Sequence, residues 1–161
     1  MRKYSFIGAL LLLNVCYSQN KFSIGASGGF TTIEKTYGIN ENLFIGYNTS
    51  KNITIGIDGM INQMKVNGTT INTTAIMAYI EAGNPSKGLI KDKLYFSGII
   101  GLGYLGQSNT ADASQSTGTY HFGAKVNYKI SEKVLIGIKS GYYFSKIDNI
   151  IIANFFLTYK L

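Results

Sequence analysis

Apolar and polar residues alternate along most of this chain with a period of two, not the 3.6 of a helix. A strand sends successive side chains to opposite faces, so this alternation predicts half-buried β-structure. In KFSIGASGGFT one phase holds Phe22, Ile24, Ala26, Gly28 and Phe30. NLFIGYN contributes Leu43, Ile45 and Tyr47, ITIGIDGMINQMKV contributes Ile53, Ile55, Ile57 and Ile61, and AIMAYIEAG contributes Ile76, Ala78, Ile80 and Ala82. The second half repeats the pattern in LYFSGIIGLGYLGQ, TGTYHFGAKVNYKI, VLIGIKSGYYF and IIIANFFLTYKL. Eight strands are expected, the shortest over 42–49. Turn chemistry separates them at TSKN (49–52), NGTT (67–70), SNTADASQS (108–116), SEK (131–133) and KIDN (146–149). Residues 32–41, 67–74 and 108–116 are expected as exposed outer loops, and 84–93 as a long turn at the other end.

The N-terminus breaks the pattern. MRKYSFIGALLLLNVCYSQ has a basic start at Arg2 and Lys3, an apolar run from Phe6 to Val15, and a small residue at Ser18. It reads as a secretory signal peptide over 1–18, cleaved before Gln19 and exported through the general secretory pathway, which leaves one domain over 19–161. The apolar run falls short of the roughly 20 residues that a membrane-spanning helix needs. The one cysteine, Cys16, lies in this segment behind Val15, where a lipoprotein signal wants a small residue. The expected mature chain therefore carries no disulfide framework and no thiolate. The net charge of +7 is scattered without a run of Lys and Arg, so no nucleic-acid footprint is present.

Alternation alone fits a soluble lipocalin-like barrel with its apolar face inward, or a membrane barrel with that face outward. The aromatic residues of the apolar phase sort by height. Phe22, Tyr47, Phe96, Tyr128 and Tyr159 fall near one end of their strands, and Phe30, Tyr104, Tyr120, Tyr142 and Phe144 near the other. Two aromatic girdles around an aliphatic band suit a bilayer, whose headgroup zones hold amphipathic rings. The opposite phase carries Asp58, Glu81, Lys125 and Lys139. In a membrane barrel these four point into the lumen, where charges persist when paired, so the two acids are expected to neutralise the two lysines.

The leader ending in Ser-Gln, the eight alternating strands and the terminal NFFLTYKL with Tyr159-x-Leu161 resemble the small eight-stranded outer-membrane barrels of the OmpA/OmpX/porin-like type. The resemblance covers the whole mature chain as a pattern rather than a motif. It implies an all-β, eight-stranded antiparallel up-and-down transmembrane barrel in the outer membrane of a Gram-negative bacterium. The implied partners are outer-membrane lipid and, during biogenesis, the barrel-assembly machinery that reads the last strand. Leu161 stands where an aromatic is common at the terminus, and Phe156 where that signal has glycine.

Catalytic motifs are sparse. Gly101-x-Gly103-x-x-Gly106 has dinucleotide-fingerprint spacing, yet the polar QSNTADASQSTG follows it instead of a helix. Its glycines are expected to make room in a narrow barrel, and no cofactor is expected. His121 is the one histidine, and Gly123 stands where lipid-A hydrolases of similar barrels carry a serine. One histidine without a mature cysteine builds no transition-metal site. Eight strands enclose a lumen that side chains just fill, and Met60, Met77, Tyr79, Tyr95 and Tyr143 fall in the inward phase. The expected function is a non-catalytic barrel with a structural or surface-interaction role. A narrow pore for small solutes or ions, a lipid-modifying enzyme and a soluble periplasmic barrel are the alternatives.

Overall fold

The structure, a computed structural model, describes residues 21–33, 36–66, 68–84, 89–109 and 114–161. The expected signal peptide and Cys16 lie outside the described residues. Eight strands run β1 (Phe22–Ile33), β2 (Thr36–Asn48), β3 (Ile53–Val66), β4 (Thr69–Gly83), β5 (Leu94–Asn109), β6 (Ser114–Lys129), β7 (Val134–Ser145) and β8 (Ile150–Lys160). Each pairs antiparallel with its sequence neighbours, and β8 pairs with β1 to close a barrel. A short helix α1 (Leu89–Asp92) interrupts the β4–β5 link. The described chain begins and ends at one end of the barrel, the proximal end, where the Leu161 N–H donates to the Phe22 carbonyl at 2.9 Å.

Local chemistry makes the hairpins. Ser50 accepts from the N–H groups of Asn52 and Ile53, and Ser131 accepts from those of Lys133 and Val134. Ser145 does the same for Ile147 and Asp148 at the distal end. A serine hydroxyl thus replaces a backbone acceptor in three turns. The β3–β4 turn carries Gly68 at φ 83°, a left-handed conformation that penalises any Cβ.

Two expectations about extent are corrected. β2 begins at Thr36, well before 42, and the supposed outer loops 32–41, 67–74 and 108–116 are largely strand. Ser114–Thr119 pairs residue by residue with Gly103–Ser108, and Thr69–Thr74 with Ile61–Val66. These segments are rich in Thr, Ser, Asn and Gly. They lack the apolar contrast that marks a strand in sequence, yet they continue the backbone ladder that the more apolar part of each hairpin starts. The 84–93 turn is long, as expected, and holds α1.

The pairing path climbs. Following register partners from Ser97 through Lys125, Lys139, Asn154, Gly29, Asn40, Asn62 and Thr73 returns to β5 at Gln107, a displacement of 10 residues. Strands in a closed barrel must tilt to accommodate this shear. Ile, Leu and aromatic side chains cover the outside, with Leu43, Ile57, Leu102, Phe122 and Phe155 all exposed. The packed core is the lumen itself.

Candidate functional site

The lumen is stacked in layers, and the inward phase of every strand contributes. In the proximal layer Lys125 of β6 pairs with Glu81 of β4 at 2.6 Å. Between them on β5, Ser97 donates to the other carboxylate oxygen at 2.6 Å and accepts from Asn127 at 3.0 Å. The Lys125 ammonium also lies over the rings of Phe44 (4.8 Å) and Phe156 (5.2 Å). Its charge is met by a carboxylate on one side and by aromatic faces on others, which lowers the cost of burying it.

One level further in, Lys139 of β7 spans the lumen to Asp58 of β3. Lys139 is 2% exposed and Asp58 is likewise buried. The second Asp58 oxygen accepts from the Asn42 amide at 3.1 Å. Asn42 in turn accepts from Asn154, whose amide also reaches Asn40 at 2.5 Å. The structure therefore brings all four expected charges together as two acid–lysine pairs, and adds an asparagine relay that ties β2, β3, β7 and β8. The climbing path described above is polar at every step except Gly29, so one row of lumenal polar groups rises as a spiral, with Asp58, Glu81 and Asn42 beside it.

Beyond that layer His121 stacks on Tyr143, with centroids 4.3 Å apart and planes 16° apart. Gly141 makes this possible, since a Cβ there would collide with His121 Nε2. An apolar plug then seals the distal half: Met60, Met64, Met77, Leu105, Ile33, Ile150 and Ile152 form one buried cluster. At the proximal end a vestibule of about 60 Å³ remains. Gly101 and Gly103 face the lumen, and a Cβ on Gly103 would strike the Ile76 carbonyl and lie 2.8 Å from the Met77 Cα. The Gly101-x-Gly103-x-x-Gly106 stretch is thus a close approach of β4 to β5, within a strand.

The ten girdle aromatics all stand on the outer face, exposed or half-exposed. Phe22 is the register partner of Tyr47, their rings 5.0 Å apart, and Tyr120 is the partner of Phe144. Tyr142 packs on Phe144 at 4.3 Å. Phe122 and Phe155 also lie outside, among the aliphatic residues between the two sets. A carboxylate interrupts the outer face: Glu41, expected in a loop, sits exposed on the outward phase of β2 between Gly28 and Ile61.

Sequence reasoning missed Asn40, Asn42, Asn154, Phe44, Phe156 and Ser97 as members of the lumenal network. The available signal was Asn itself. It is depleted in strands, yet it recurs in the polar phase at positions 40, 42, 62, 127 and 154.

A closed eight-stranded barrel with charged, hydrogen-bonded packing inside and an apolar belt outside is the architecture of small outer-membrane barrels. Solved structures agree at the level of fold. The chain is similar to neisserial surface protein A (NspA), with TM-score 0.76 and 13% identity over 88% of this chain and 97% of that one. It is similar to Ail, the attachment invasion locus protein of Yersinia pestis, with TM-score 0.55 and 14% identity over 87% and 96%. The outer-membrane enzyme PagL aligns with TM-score 0.54 and 11% identity over 86% and 99%. No protein-family model and no curated protein matches the sequence.

Proposed function

We propose that this protein is a non-catalytic integral barrel of a Gram-negative outer membrane, with a sealed lumen and a structural or surface-interaction role. The observation that carries the reading is inverted polarity. Lys139, Asp58, Asn42 and Asn154 are buried inside while Leu43, Ile57, Leu102 and Phe155 are exposed outside. Soluble monomers rarely expose contiguous apolar patches beyond a few hundred Å². A bilayer accepts such a belt, and a closed barrel leaves no strand edge unpaired within it. The polar outer faces of Ser108, Ser114 and Ser116, beyond Tyr104 and Tyr120, suit an extracellular rim above the membrane. The proximal end then faces the periplasm.

Two arrangements argue against the alternatives. The apolar plug closes the distal lumen, which disfavours a pore. His121 is buried and flanked by Gly123 and Gly141, which offers a lipid substrate no reachable histidine–nucleophile pair. The test is fractionation with a heat-modifiability gel. The protein is expected in the outer membrane, resistant to carbonate extraction, and shifted in migration when unboiled. Recovery as a soluble periplasmic protein would sink the reading. Discrete conductance in planar bilayers would favour the pore, and a change in lipid A mass on overexpression would favour an enzyme like PagL.

A further inference from the structure

The two ends of the barrel differ in charge. The proximal end carries Lys21, Lys51, Lys93, Lys129, Lys133 and Lys160 with Glu132, and α1 adds one residue of each sign, Lys91 and Asp92. The distal end presents Lys65 and Lys146 against Glu41 and Asp148. Glu132 is already engaged by Lys129 at 2.6 Å, and that ammonium holds its carboxyl below the usual range. The lumen contributes no net charge, because Asp58 and Glu81 cancel Lys139 and Lys125.

The proximal vestibule concentrates this excess. Lys51, Lys125 and Lys160 line it together with one acid, Glu81. Glu81 is already engaged, one oxygen by Lys125 and the other by Ser97. Among the described residues neither Lys51 nor Lys160 has an ion-pair partner. Neutral polar side chains, including Asn52 and Thr158, complete the lining. A concave polar site with like charges on low-dielectric walls focuses its field and raises the local concentration of counter-ions.

We propose that this vestibule is a binding seat for a single oxyanion group, a carboxylate or a phosphate, carried by a molecule of the aqueous compartment at the proximal end. The cavity of about 60 Å³ is polar and roomy enough to admit such a group. The seat opens along the barrel axis, flanked by the β2–β3 turn, so the ligand enters from solvent rather than sideways from the lipid. Lys51 and Lys160 grip the anion, and the rim lysines steer it in. Among the described residues the distal end, with balanced charge and an apolar plug, offers no counterpart. This inference goes beyond the proposed role and requires only the folded barrel.

The test is a titration of the barrel in zwitterionic phosphatidylcholine nanodiscs with inorganic phosphate and, separately, with acetate, followed by NMR amide shifts. Saturable shifts clustered at 51–54 and 158–160 are expected for at least one anion, and the anion that saturates assigns the ligand as phosphate or carboxylate. The double variant Lys51→Gln/Lys160→Gln should weaken binding roughly tenfold or more. Lys65→Gln/Lys146→Gln, with the same loss of charge at the other end, should leave it unchanged. An unboiled gel shift confirms that both variants fold. Absence of saturation with both anions, or equal binding by the two double variants, would overturn the proposal. Repeating the titration in anionic phosphatidylglycerol tests the source. Retained binding supports a ligand from solvent, and shifts at 51–54 and 158–160 that phosphatidylglycerol itself induces, without added anion, would show lipid phosphate in the seat and overturn the aqueous assignment.

Discussion

Lys125 and Lys139 are register partners on adjacent strands, and both point into the lumen, yet each reaches a different acid. Two ammonium groups opposite one another in a ladder repel. The conflict is resolved because Lys125 turns toward the proximal Glu81 while Lys139 crosses to Asp58. Removing one partner of a buried pair strands the other charge, at about 3–5 kcal/mol. Lys139→Leu is expected to destabilise the barrel by an amount in that range in urea-driven unfolding from lipid vesicles. Lys133→Leu, in an exposed turn, should change stability by under about 0.5 kcal/mol. Equal effects would mean that the Asp58 bridge contributes nothing.

The proximal pair should behave differently when removed whole. Glu81→Leu alone leaves Lys125 with aromatic neighbours and no carboxylate. The double variant Glu81→Leu/Lys125→Met removes both charges and leaves apolar side chains beside Phe44 and Phe156. Replacing a buried pair by apolar groups is often neutral or stabilising, so the double variant is expected to be more stable than Glu81→Leu by about 2 kcal/mol or more. A double-mutant cycle on unfolding midpoints measures this coupling, and a value near zero would contradict the arrangement.

Gly103→Leu is expected to block assembly. Its Cβ would strike the β4 backbone at Ile76 and Met77, which cannot yield as a flexible side-chain end would. The readout is loss of the heat-modifiable band, with the protein degraded or in inclusion bodies. Gly98→Ala is the control, because nothing lies within 4 Å of a Cβ there, and it should assemble normally. The same Gly103 experiment separates packing from cofactor binding. Saturable NAD binding by the folded wild-type barrel would reverse the assignment of this glycine motif.

Glu41 stands on the outer face of β2 below Ile39 and Tyr37 and beside Ile61. A carboxylate on the lipid face near an interface costs up to about 1 kcal/mol. Glu41→Leu should therefore raise stability in thick bilayers, where that height is immersed, and do little in thin ones. Lost stability in both would place Glu41 in a contact that the isolated chain does not show.

Periodicity determined a great deal here. A period of two along an unbroken run of turn-punctuated segments defines eight strands, their inward and outward faces, and both aromatic sets, because side-chain direction in a strand depends on parity alone. That parity also placed Asp58, Glu81, Lys125 and Lys139 on one side of the wall. Tertiary structure alone decided which acid meets which lysine. The 10-residue climb of the pairing path sets the heights at which distant strands face one another across the lumen, and it brings Asp58 and Lys139, 81 positions apart, into contact. The strand extensions over 36–41, 69–74 and 114–116 were equally hidden. Backbone pairing is indifferent to side-chain polarity, so a polar segment zips onto an established ladder without leaving a hydrophobic trace in the sequence.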